Sequence, residues 1–134
     1  MSREYGLDHI EVYRHSITKA KFKSFLFALR RKFPFDNILL MMDQLSLHKS
    51  NDTKKLLDEL GFKYSYTPVQ SPSFNGIEEV FSIAKDLIKK ARLQKLLSYG
   101  DESTRDIIYR SFNSINPQHI AKCVSRSLEL LALE

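Results

Sequence analysis

Phe22, Phe25, Leu26, Leu29 and Phe33 fall at i, i+3, i+4, i+7 and i+11, the spacing that gathers apolar side chains on one face of a helix. A helix is therefore predicted over roughly residues 18–32, with Lys19, Lys23, Arg30 and Arg31 off the stripe and Pro34 as its terminator. Ahead of it, Ile10-Glu-Val-Tyr-Arg14 alternates apolar and polar, which is a strand period. Behind it, Ile38-Leu-Leu-Met-Met42 is a continuous apolar run that ends abruptly in Asp43, as expected of a strand buried on both faces. A polar loop with Ser46, His48, Lys49, Ser50 and Asn51 leads to a short helix at about 52–60, and Gly61 stands where a helix C-terminus favours glycine. Phe62–Thr67, aromatic and β-branched, predicts a third strand.

Pro68–Asn75 is punctuated as a loop. The longest helix is predicted from Gly76 to about Leu97, striped by Ile77, Val80, Phe81, Ala84, Leu87, Ile88 and Ala91 and broken by Tyr99-Gly-Asp-Glu. Ser103 with Asp106 has the form of a capping box before Ile107, Ile108, Phe112 and Ile115. Asn116-Pro117 reads as an N-cap with proline at the first helical position. Ile120, Val124, Leu128 and Leu131 then share a face. The order β-α-β-α-β-α-α-α argues for an α/β layer with mainly parallel pairing and all three strands in one sheet.

Composition narrows the classes. The chain of 134 residues suits one core, and its longest apolar run, residues 38–42, is far short of the ~18 residues a membrane span requires. The first ten residues carry no apolar signal-peptide core. A net charge of +5 and a pI near 9.3 favour a polyanionic partner. The single cysteine, Cys123, forms no internal disulfide and fits a small buried side chain on a helix in a reducing compartment.

Two acids have positions suited to chemistry. Asp43 closes the central apolar strand, at the carboxyl end where α/β sheets bind ligands, and Glu78 opens the longest helix. Carboxylates that converge there would bind Mg²⁺ or Mn²⁺, which prefer oxygen ligands. On pattern alone the alternatives stay open. Asn75-Gly-Ile-Glu78 also fits a capping box, Asp43 also fits the start of a turn, and His48 also fits an ordinary loop histidine. His48 has no Cys or second His at metal-ligand spacing. His9, His15 and His119 form no cluster with it that the sequence displays. There is no P-loop, GxGxxG or GxSxG.

Leu39-Leu-Met-Met-Asp43-Gln-Leu-Ser-Leu-His48-Lys-Ser50 resembles the second-aspartate segment of mariner-type transposases, in which an apolar strand ends in Asp-Asn and a His-Lys or His-Ser follows. Tyr66-Thr-Pro68-Val-Gln-Ser71-Pro72-Ser-Phe-Asn75-Gly-Ile77-Glu78-Glu-Val-Phe81-Ser-Ile-Ala-Lys85 resembles their third-carboxylate segment, Pro-x-x-Ser-Pro-x-x-Asn-Pro-Ile-Glu. The 34 residues between the two acids (44–77) match the spacing that names one large branch. The resemblance covers roughly residues 8–95 and implies an incomplete ribonuclease H-like core, three or so strands flanked by helices, over residues 1–97, with 98–134 as a helical extension of the same domain.

It implies Asp43 and Glu78 as catalytic Mg²⁺ (or Mn²⁺) ligands, with His48 and Asn75 lining the site. Lys85, Lys89 and Arg92 would contact phosphate, although a solvated basic face is the plainer reading of those three. The implied activity is cleavage and strand transfer of DNA during transposition and integration. The alternative is an inactive remnant that binds DNA or another subunit. The implied partners are transposon ends, target DNA and a second copy of the chain, with no membrane. The implied location is intracellular with the DNA, in the nucleus of a eukaryote or the cytoplasm of a prokaryote. Gln44 departs from the usual Asn, Gly76 from the usual Pro, and Val69-Gln70 from a more aromatic pair. The family's first aspartate lies many tens of residues before the second, whereas 42 residues precede Asp43 here. Asp8 is not assigned to that role.

Overall fold

The apolar stripes and punctuation marks become eight elements in the computed structural model, which describes residues 1–68, 75–98 and 100–132, with side chains through residue 130. In chain order these are α1 (Lys19–Lys32), β1 (Leu39–Met42), α2 (Ser46–Lys49), α3 (Asn51–Glu59), β2 (Lys63–Tyr66), α4 (Ile77–Ser98), α5 (Thr104–Asn113) and α6 (Pro117–Ala132). The protein is mixed α/β, mostly helical, with one two-stranded parallel sheet among the described residues. It divides into two compact units, residues 13–75 and residues 1–12 with 76–134. The Ser71-Pro72 part of the motif, Tyr99 and the side chain of Leu131 lie outside the described residues.

In the unit of residues 13–75, Thr18 caps α1 by accepting from the Lys21 amide at 3.3 Å. The predicted stripe faces inward. Leu26 and Leu29 are buried, and Phe22, Phe25 and Phe33 pack beside them on Met42, Leu56, Leu57 and Phe62. β1 and β2 run parallel, in register from Leu39 with Lys63 to Met42 with Tyr66. The helix α3 ends in a Schellman closure. Gly61, at φ +74°, lets its own amide reach the Asp58 carbonyl (3.1 Å) and the Phe62 amide reach Leu57 (2.9 Å).

Three expectations are corrected here. Residues 10–14 form no strand, because alternation makes a strand only where a neighbour supplies a ladder, and that segment pairs with neither β1 nor β2. β1 is not buried on both faces. Leu39 is 56% exposed and only Met42 is fully buried, since a two-stranded sheet leaves part of its surface uncovered. Residues 46–49 are a helical turn rather than plain loop. They are stitched to α3 by the buried Thr53, whose hydroxyl donates to the Leu47 carbonyl at 2.9 Å and accepts from Ser50 at 2.8 Å.

In the other unit, α4 packs on α5 and α6. Val80, Ala84, Ile115, Ile120 and Cys123 form the core, with Met1 and Leu7 from the first residues of the chain packed against it. Ser103 caps α5 through the Asp106 amide (3.1 Å), and Asn116 caps α6 through the Gln118 amide (2.9 Å), as their sequences predict. The inward face of α6 is Ile120, Cys123 and Ser127, with the predicted Val124 packed half-buried beside them, whereas Leu128 is exposed. Buried Ser127 accepts from the Gly76 amide at 2.6 Å and donates to the Cys123 carbonyl at 3.0 Å. Satisfying both of its hydrogen-bonding roles makes a polar residue tolerable in the core.

Candidate functional site

β1 delivers Asp43 to the mouth of the sheet, and both flanking residues are anchored. The Met42 carbonyl accepts from the Thr67 amide at 2.8 Å, carrying the ladder one step past β2. The Gln44 side-chain amide donates to the Thr67 carbonyl at 3.0 Å. Its carbonyl oxygen accepts from Lys49 at 3.2 Å. Gln44, the residue that departs from the family's Asn, thus acts as a strap across the strand ends.

Asp43 Oδ1 accepts from the Leu45 amide (3.3 Å) and lies 2.8 Å from His48 Nδ1. The same Nδ1 is 3.3 Å from the Asp43 carbonyl. Both of these partners only accept, so Nδ1 carries the proton. His48 is itself held. Its ring rests against Phe22 with centroids 4.8 Å apart, and its carbonyl accepts from the Tyr66 hydroxyl at 2.9 Å. Burial, then neighbouring Tyr64, raises the Tyr66 pKa, which keeps that phenol a donor at neutral pH. The side chain of Asp43 is half-exposed, 50%, against 19% for His48. Among the described residues nothing donates to Oδ2. One carboxylate oxygen is fixed by the protein while the other is presented outward, an arrangement that fits a hard divalent cation.

In the other unit, Glu78 lies exposed in the first turn of α4. At about 100° per residue, Glu78, Lys85, Lys89 and Arg92 fall within roughly 60° of one another around the helix. All four are exposed, and the buried Val80, Ala84 and Ala91 lie on a different face. An acid followed by three bases on one open face suits a metal ligand beside a phosphate track. Asn75 is half-buried just ahead of the helix. Asp43 and His48 are thus brought together in one unit, whose last residue is Asn75, and Glu78 and the basic row stand in the other. Asp8 is engaged elsewhere, with Ser2 donating to it at 2.9 Å and the N-terminal ammonium 3.4 Å away.

A further cluster was not anticipated from the sequence. Glu79, His119 and Cys123 bring one ligand atom each to within 4.8 Å of one another. The Glu79 carboxylate is held below its ordinary range, first by a hydrogen bond from the Cys123 thiol and then, against burial, by Arg126 and His119. Burial, then the bond to Glu79, pushes the Cys123 thiol up. The expected burial of Cys123 on a helix holds. The i, i+4 spacing of His119 and Cys123 was visible in the sequence, but their partner 40 residues earlier was not.

Residues 1–98 match the family model described as DDE superfamily endonuclease, 98 of 134 residues, and the chain belongs to that family. No curated protein matches it. Endonucleases of this superfamily generally use divalent metal ions and act on DNA. Among the described residues no helix is long and apolar enough to cross a membrane.

Proposed function

We propose that this chain is part of a DNA transposase core of the mariner-type branch, with a ribonuclease H-like framework and with Asp43 and Glu78 as its second and third metal-binding acids. The observation that carries this reading is the environment of Asp43, held at a strand end with one oxygen engaged by His48 and the other open. Family membership and the 34-residue spacing of the two acids support it. Asp43 and Glu78 would hold Mg²⁺ or Mn²⁺, which in this superfamily supplies activation of a water or 3′-hydroxyl and stabilisation of the leaving oxygen.

His48 acts through Asp43 as a positioning residue, fixing the carboxylate rotamer. Lys85, Lys89 and Arg92 grip successive phosphates and lay the DNA along α4 toward Glu78. The basic charge of the chain assists the approach of DNA. The strand edges of β1 and β2 that face away from each other suit pairing with a second copy of the chain. The cellular location is that of the DNA.

Manganese titration of the intact chain, followed by electron paramagnetic resonance, tests the reading. Weak binding of an ion is expected, with Asp43→Ala and Glu78→Ala each lowering affinity by about tenfold or more, on the order of 1.4 kcal/mol. Unchanged affinity in both variants would sink the proposal. With two acids in hand, the isolated chain is expected to nick DNA little or not at all in Mg²⁺ or Mn²⁺. Robust nicking abolished by Asp43→Ala would mean that it holds a complete site. For the basic row, Lys85→Ala, Lys89→Ala and Arg92→Ala combined should weaken DNA binding and flatten the log-affinity against log-salt slope by about 2–3, near 0.9 per phosphate contact. An unaltered slope would remove these residues from the DNA path.

A further inference from the structure

The Glu79, His119 and Cys123 side chains form a three-ligand constellation that includes neither Asp43 nor Glu78. Glu79 adjoins Glu78 in sequence but points about 100° away around α4. His119 and Cys123 are one turn apart on α6, the i, i+4 placement that puts two ligands on one helical face. Glu79 Oε1 and His119 Nε2 are 3.3 Å apart. That is close to the separation of two ligands on a tetrahedral ion with bonds of about 2.0–2.1 Å.

His119 Nε2 is buried and, among the described residues, makes no hydrogen bond, although the side chain as a whole is 40% exposed. A buried ring nitrogen that stands 3.3 Å from a carboxylate oxygen without hydrogen-bonding geometry, beside a thiol, is what a central atom would explain. The other oxygen of Glu79, Oε2, is engaged by the Arg126 guanidinium. That contact holds one carboxylate oxygen and leaves Oε1 beside His119; Arg126 also reaches the Cys123 thiol, so the guanidinium gives up that contact when an ion enters. Gly76, just ahead of α4, approaches the Cys123 carbonyl so closely that no Cβ would fit between them.

The geometry points to a second cation site, in which Glu79 Oε1, His119 Nε2 and Cys123 Sγ bind Zn²⁺ or a similar borderline divalent ion and join α4 to α6. The mixed oxygen, nitrogen and sulfur set selects such an ion over Mg²⁺, which takes oxygen. Three protein ligands leave a fourth position for water. On binding, the thiol proton of Cys123 passes to solvent and the sulfur closes on the ion as thiolate, in place of its hydrogen bond to Glu79.

Cobalt titration of the intact chain provides the test. We expect one equivalent of Co²⁺ to produce a thiolate-to-cobalt charge-transfer band, competed away by Zn²⁺, with Zn²⁺ also raising the melting temperature. Cys123→Ser should abolish the band. His119→Gln, at a half-open position where folding is retained and checked by circular dichroism, should weaken cobalt binding by about tenfold or more. Asp43→Asn and Glu78→Gln should leave the band intact, which separates this site from the transposase acids. Absence of the band in the unaltered chain, or the same affinity in His119→Gln, would overturn the proposal.

Discussion

Replacing Gly76 by alanine is expected to destabilise the protein by about 2–3 kcal/mol, and by proline by about 3–4 kcal/mol. A Cβ at residue 76 would stand 2.4 Å from the Cys123 carbonyl oxygen, 2.7 Å from its carbon and 2.9 Å from Ser127 Oγ. Two of these are backbone atoms of α6, so no side-chain rotation relieves the clash, and the helix itself must move. Proline adds a second loss, because it removes the amide that donates to Ser127 Oγ at 2.6 Å. Ser127→Ala separates the two effects. It adds no volume but leaves the Gly76 amide buried without an acceptor, for an expected loss of about 1–2 kcal/mol. Urea unfolding of the three variants is the measurement. Stability of Gly76→Ala within about 0.5 kcal/mol of the parent would show that α6 does not press on this residue. Transposases of the resembling pattern carry proline here, so its absence in this chain is explained by the close approach of α6.

Arg30→Ala should cost about 2–3 kcal/mol, and Arg30→Lys should recover little of it. The guanidinium donates through Nε to the Leu60 carbonyl (2.8 Å), through Nη1 to those of Phe33 (3.0 Å) and Asp36 (2.9 Å), and through Nη2 to Gly61 (3.5 Å). It also lies over the Phe62 ring, 4.7 Å from the centroid. Leu60 and Gly61 directly follow the last residue of α3, at the negative end of its dipole. One side chain thus ties the ends of α1 and α3 together with the start of β2. The site is half-open, so the expected loss is kept below the sum of four charged hydrogen bonds. A lysine variant as stable as the parent would mean that charge alone, rather than the planar fork, supplies the stabilisation.

Much of this architecture was legible in the sequence because it depends on local rules. Ser103 and Asn116 cap the helices they precede, and Gly61 takes the left-handed conformation its position implies. Asp43 stands at a strand end as the apolar run before it predicted. What failed depended on distant partners. The Ile10–Arg14 alternation was locally sound but found no ladder. Arg30 looked like one more base off an apolar stripe, because its acceptors lie up to 31 residues away. The inward face of α6 was misplaced because Ser127 is polar, and its burial is licensed by an amide 51 residues earlier. His48 looked like a lone loop histidine until α2 folded it back onto Asp43.

The packing of Gly76 and Val80 against α6 bears on where the protein can be cut. The family match stops at residue 98, yet Ile115, Ile120, Cys123 and Ser127, which wall in the start of α4, all lie past that point. Cropping the polypeptide to the matched region would strip the cover from Val80 and Ala84 and leave a naked apolar flank directly behind Glu78. The edge of the family match and the edge of the packing around α4 therefore fall at different residues, and an excised 1–98 fragment would keep the acids without the side chains that hold the second of them in place.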